Sequence, residues 1–282
     1  MKPITHRALK VLLRHRAAMG ALAVLVLLCG LALGIGIVSR HSPAEMNPDR
    51  ILQTPSGSHW LGTDDLGRDI FARIGYGGRV SLAIGLAAVA LAMVAGVPLG
   101  AVAGYFGGWT DYAISRILDV LLGIPSILLA ILMAAAMQRG LGTLILAVGI
   151  VGIPQFARQV RGSVLTLREQ DFVQASRALG ATPLRTLWRE VLPNALGPII
   201  VLATLGVGSA VLTAAGLSFL GLGVETGTPE WGAMLYEGRR AFRTSPHLAI
   251  FAGLAITLTV LAINIFGDGL RDALDPKAEK KA

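Results

Sequence analysis

The chain has 282 residues, 54% of them hydrophobic and 15% charged, and its mean hydropathy is +0.65. That leaves too little polar surface to cover a soluble core of this size, so the composition excludes a soluble globular domain and indicates an integral membrane protein. The formal charge of +8 sits in loops between apolar runs, which argues for membrane topology rather than nucleic-acid binding.

Residues 1–16 form a basic tail with Lys2, Arg7, Lys10, Arg14 and Arg16. Residues 17–38 are long enough to cross a bilayer, and no small-residue cleavage site follows them cleanly, so an uncleaved first span is expected. Cys29, the single cysteine, lies within this run and rules out an internal disulfide. Residues 39–79 read as an extracytoplasmic segment. Within it, LGTDDLGRD (residues 61–69) is rich in turn and capping residues. Asp64, Asp65 and Asp69 lack the alternating spacing of a calcium loop, so a solvated loop with local Asp–Arg pairing is expected and no metal site is assigned.

Residues 80–268 read as a core of five further spans, at about 20 residues per crossing. They are placed near 80–103, 114–137, 143–157 (continuing to about 160), 193–221 and 248–266. Pro193, Pro198, Gly206, Gly208 and Gly216 predict a kinked helix in the fifth of the six spans. Its small and hydroxyl-bearing side chains Thr204, Gly208, Ser209, Thr213 and Ser218 make it the expected wall of a translocation pathway. Such a wall suits a polar cargo of modest size better than a bare transition-metal ion, which would want imidazole or sulfur ligands.

The loop at 158–192 interrupts this core with a helix–turn–helix signal. Gly180 stands where a helix C-cap belongs, followed by Ala181, then Thr182 as N-cap and Pro183 at the first helical position. Phe172, Ala175 and Leu179 share one face before the turn, and Leu184, Leu187, Trp188 and Val191 share one after it. A compact basic knob emerging from a membrane protein is suited to touching a soluble partner. Between residues 223 and 247, Thr228, Pro229 and Glu230 read as N-cap, first position and acidic first turn. Trp231, Leu235 and Phe242 then form an apolar stripe backed by Arg239, Arg240 and Arg243, as in a helix anchored at the outer membrane surface. A contact between Glu230, Trp231 and Arg239 and a soluble binding protein is the functional alternative.

Orientation follows from lysine and arginine bias. With the N-terminus inside, the outer segments hold Arg40, Arg50, Arg68, Arg73, Arg79, Arg139, Arg239, Arg240 and Arg243, and the other 16 of the 25 basic residues are cytoplasmic. Both termini, including the tail 269–282, and the 158–192 loop then face the cytoplasm.

Residues 174–193, QASRALGATPLRTLWREVLP, resemble the Glu-Ala-Ala loop of ABC importer permeases, whose pattern is Glu-Ala-Ala, three residues, Gly, nine residues, Ile, one residue, Leu-Pro. Gln174-Ala175-Ser176, Gly180 and Leu192-Pro193 keep that spacing, while Gln174, Ser176 and Glu190 depart from its residue types. Residues 61–82, 111–131, 215–232 and 255–276 are similar to the dipeptide/oligopeptide/nickel permease family, and most similar to its second, C-type subunit. The resemblance covers nearly the whole chain in order. It implies an all-α integral membrane protein with a type I ABC importer fold, about six transmembrane helices and a cytoplasmic coupling-helix loop in a bacterial inner membrane. It also implies partners: a second permease forming a heterodimer, two cytoplasmic ABC ATPases and an extracytoplasmic solute-binding protein. Short peptides are the expected cargo, with nickel chelates or glutathione as alternatives.

No G-x-x-x-x-G-K-[ST] phosphate loop occurs, so this chain cannot itself cradle a nucleotide in that way, and the resemblance assigns hydrolysis to the partner ATPases. No catalytic residues and no cofactor are assigned, and all five histidines lie in the tail or the outer loops. An ion-coupled secondary transporter is the rival class. It would need ionisable relays inside the spans, whereas Asp119 is expected near a span end and Asp268 beyond one.

Overall fold

The computed structural model describes residues 4–225 and 227–274. It is helical almost throughout, and among the described residues the only extended pairing is an isolated bridge between Thr63 and Asp69. A short helix α1 (Ile4–Arg14) precedes α2 (Arg16–Val38), which starts on a His15 N-cap whose ring accepts from the Ala18 amide at 3.1 Å.

The long helix α3 (Ile70–Phe106) begins ten residues before the span expected at 80. Its start is fixed by the Asp69 N-cap, whose carboxylate accepts from the Ala72 amide at 2.7 Å. It packs along its length against α6 (Leu141–Leu167) through Gly96, Gly100 and Gly104. A Cβ on Gly100 would lie 2.2 Å from the Ala157 carbonyl oxygen, and one on Gly96 would lie 2.7 Å from that of Ile153. Glycine at every fourth residue is what lets two backbones approach this closely in lipid.

These contacts advance together, Gly96 on Ile153, Gly100 on Ala157 and Gly104 on Arg161, so α3 and α6 run parallel. The chain between them must therefore cross back. It does so as a broken span, α4 (Gly108–Leu122) and α5 (Ser126–Ala136), bent by 83°. The span expected at 114–137 is thus present but broken. Pro125 removes a backbone donor and pushes Ile124 out of the helical region.

The fifth span is corrected in the opposite direction. Its helix α10 (Leu196–Phe219) is continuous, with Pro198 in the first turn, where its missing N–H is harmless. The irregularity lies before it, in α8 (Pro183–Thr186), a π-type turn (Leu187–Val191) and α9 (Leu192–Asn194). Gly208 serves close packing rather than a bend, since a Cβ there would sit 3.3 Å from Ile263 and Asn264 of α12 (His247–Leu274).

Two short helices complete the fold. One is α7 (Asp171–Ala178) in the loop between α6 and α10, and the other is α11 (Trp231–Gly238) between α10 and α12. The bundle thus has a knob end, carrying α7 and α8 together with the start of α2 and the end of α12. His15 of the α2 start and Asp272 of the α12 end lie 3.8 Å apart. The opposite end is capped by residues 39–69 and α11.

Candidate functional site

At the knob end the sequence signals become geometry. α7 stops at Gly180, which has φ +83° with nothing within 4 Å of its would-be Cβ. Thr182 then caps α8, its hydroxyl accepting from the Arg185 amide at 3.4 Å, and Pro183 occupies the first turn. The knob is seated by Val173, Leu187 and Val191, all fully buried against Ala101, Tyr105, Val160 and Val164 of α3 and α6. Burial of this kind stabilises by about 1.5–3 kcal/mol per side chain.

Polar contacts pin the same joint. Arg168 donates to the Gly104 carbonyl at 2.8 Å, and the Arg177 guanidinium lies 5.0 Å from the centre of the Tyr105 ring. The single apolar face expected after the turn is split. Leu187 and Val191 point inward, while Leu184 and Trp188, one row over, point out. A short turn has room to bury only one of two adjacent i, i+4 rows. Phe172 and Leu179 are also open, Leu179 at 89% exposure. The result is a rigidly mounted surface with an apolar tip.

The expected pathway residues are not on one wall. Ser209 is exposed and Thr213 half-buried one turn along the same face of α10, and the Thr213 hydroxyl donates back to the Ser209 carbonyl at 2.8 Å. Thr204 is half-buried and bonds to the Ile200 carbonyl at 2.9 Å. Gly208 and Ser218 are buried in the bundle, so no open face of α10 contains them.

The capped end departs most from expectation. Glu230 is itself the N-cap of α11, accepting from the amides of Gly232 and Ala233 at 2.9 and 2.8 Å. It also accepts from the Ser81 hydroxyl at 3.0 Å. Trp231 is buried and donates its indole N–H to the Ile74 carbonyl at 2.9 Å. Neither presents a surface to the bilayer or to a soluble protein, and of the three residues proposed for that contact only Arg239 is exposed.

Residues 61–69 are likewise no solvated loop. Asp64 is fully buried, accepting from Arg68 Nε at 2.7 Å and from Arg73 Nη1, and both arginines reach Glu237 of α11, at 3.0 and 2.7 Å. The expected local Asp–Arg pairing is present as Asp64–Arg68, but it is buried, and the part of Glu237 in the network was missed because that residue lies 169 positions from Arg68 and 164 from Arg73 in sequence. The nearby His59 donates from Nδ1 to Asp69 at 2.8 Å and accepts at Nε2 from Arg50 at 3.1 Å. Both ring nitrogens are engaged, and a guanidinium stands where a cation would have to bind.

Fold and composition together define a multi-pass membrane protein with a two-helix knob mounted at one end of its bundle, and sequence comparison supplies the family. Residues 96–280 match the family described as binding-protein-dependent transport system inner membrane component, and residues 4–55 match the N-terminal TM domain of oligopeptide transport permease C. The dipeptide transport system permease protein DppC of Alkalihalophilus pseudofirmus is 47% identical over 96% of this chain and 89% of its own length. The glutathione transport system permease proteins GsiD of Pectobacterium atrosepticum and Escherichia coli O6:K15:H31 are 51% and 46% identical, over 81% and 94% of this chain and 76% and 87% of their own lengths. An inward-facing structure of the MetNI methionine ABC transporter shares the fold, with a TM-score of 0.59 at 22% identity over 72% of this chain and 96% of that one. The chain belongs to the inner-membrane permease family of binding-protein-dependent transport systems, within its C-type peptide permeases.

Proposed function

We propose that this chain forms half of the translocation pathway of an ATP-driven importer of short peptides, and that the knob at residues 174–193 couples that pathway to ATPase subunits. The observation that carries this reading is the knob itself. Phe172, Leu179, Leu184 and Trp188 expose an apolar tip on a joint locked to α3 and α6, so a push on the tip moves the two parallel helices of the core together. The partners are a second permease, two cytoplasmic ABC ATPases and an extracytoplasmic binding protein, with both termini of this chain in the cytoplasm. Peptide cargo is supported by the relatives named for dipeptide transport, and glutathione, itself a tripeptide, by those named for glutathione.

Uptake of labelled dipeptides, of glutathione and of nickel by cells carrying the full system, with and without this chain, tests the cargo. Loss of dipeptide uptake on deletion is expected. Unchanged peptide uptake with lost nickel accumulation would overturn the peptide reading.

Topology is checked separately, in a Cys29→Ala background. Ser56→Cys, exposed at the capped end, is expected to react with an impermeant thiol reagent in intact cells, and Thr182→Cys only after the membrane is opened. Labelling of Thr182→Cys from outside would reverse the orientation and remove the ATPase from the knob.

A further inference from the structure

The polar face of α4 carries an unused ion pair. Asp111, Ser115 and Asp119 stand on successive turns of one stripe, with Tyr112 and Arg116 beside them and Arg161 of α6 opposite. Together they line an open cleft of about 270 Å³. Asp119 lies eight residues beyond Asp111, about 12 Å along α4 at the helical rise. Its partner Arg158 lies nine residues, about 14 Å, before the end of α6 at Leu167. Both side chains are about half exposed, at 47% and 58%. Charged side chains are too costly to face hydrocarbon, so the stripe borders water.

The two pairs in the stripe differ. Asp111 is saturated, with both oxygens taken by Arg161 at 2.6 Å and a further bond from the Ser115 hydroxyl. Asp119 and Arg158 share a single bond of 2.7 Å, and among the described residues neither side chain has another partner. The first pair braces α4 on α6; the second keeps a free carboxylate oxygen and free guanidinium N–H groups.

We infer that Asp119, on the wall of this cleft, and Arg158, its half-exposed ion-pair partner, form a cargo subsite, exchanging their mutual bond for the ammonium and carboxylate ends of a zwitterionic peptide. Each cargo charge meets an opposite one as it leaves bulk water, which offsets its desolvation, and the pair closes again behind it. This adds a charged subsite on α4 and α6 to the uncharged wall expected on α10. It rests on the import reading above.

The test uses the assembled transporter in inverted vesicles, in a Cys29→Ala background. Ser115→Cys reports the cleft, and Ile117→Cys, 66% exposed on the opposite face of α4, reports lipid. A charged methanethiosulfonate is expected to label Ser115→Cys at least tenfold faster than Ile117→Cys. A dipeptide presented during turnover is expected to slow the Ser115→Cys reaction severalfold, and adding Asp119→Asn to abolish that protection without slowing labelling itself. Equal rates at the two positions, protection that survives Asp119→Asn, or labelling only when the partner subunits are missing would each overturn the subsite. If the wild-type assembly imports no dipeptide, the cargo reading fails on its own, while the ratio of labelling rates still decides the cleft.

Discussion

Asp64→Asn is expected to destabilise the protein by about 3–5 kcal/mol, the usual cost of removing one member of a buried ion network. Asparagine keeps the volume, and its oxygen still accepts the amide bonds that Asp64 takes from Leu66 and Arg68 at 2.9 Å. The loss is therefore one of charge, leaving the buried guanidinium groups of Arg68 and Arg73 with Glu237 and, for Arg68 only, the more distant Asp65 at 3.9 Å. The expected readouts are a marked fall in melting temperature of the purified chain and poor recovery from membranes. Asp65→Asn is the control. The Asp65 carboxyl is raised above its ordinary value, first by partial burial and then by the charges of Asp64 and Glu237. A carboxyl raised in the fold binds its proton more tightly there than in the unfolded chain, so its ionised form costs stability once the pH passes above the usual carboxylate range. At neutral pH, Asp65→Asn is thus expected to leave the melting temperature unchanged or higher. Equal losses for the two variants would show that the network is not what holds the cap to α3 and α11.

Gly180→Trp is expected to abolish ATP-driven uptake while leaving insertion and abundance intact. The left-handed backbone at φ +83° strains any side chain by roughly 1–2 kcal/mol. Nothing lies within 4 Å of the added Cβ, so the bulk itself meets no atom of this chain. On the proposed docking, what it meets is the partner. Gly180→Ala separates the two effects, carrying the strain without the bulk, and is expected to keep most of the activity. Wild-type uptake by a well-expressed Gly180→Trp protein would rule out docking at this turn.

The knob was legible because its signals are local. A C-cap glycine, a threonine N-cap and a first-turn proline each act within one turn of chain, and all three stand where the spacing put them. Apolar length likewise located the spans, since the bilayer sets that length. What a single sequence does not display is which side chain meets which across the bundle. Glu230 and Trp231 read as an interfacial helix start because acid, tryptophan and arginine are the residues of such a place, yet Ser81 and Ile74, some 150 residues earlier, bury them. Residues 61–69 read as a solvated loop because Glu237, which completes the network around Asp64, is 164 residues from Arg73. One further signal was local and passed over: Gly96, Gly100 and Gly104, at intervals of four inside an apolar run, mark the face on which α3 meets α6. The break in the third span was also written in Gly123 and Pro125, whose effect hydropathy alone conceals.

The most direct test of the account is uptake of a labelled dipeptide by vesicles reconstituted with this chain, its permease partner, the ATPases and the binding protein. The account predicts accumulation that requires ATP hydrolysis on the knob side, survives collapse of proton and sodium gradients, and disappears with Gly180→Trp. Accumulation that proceeds without ATP and follows an ion gradient would contradict it.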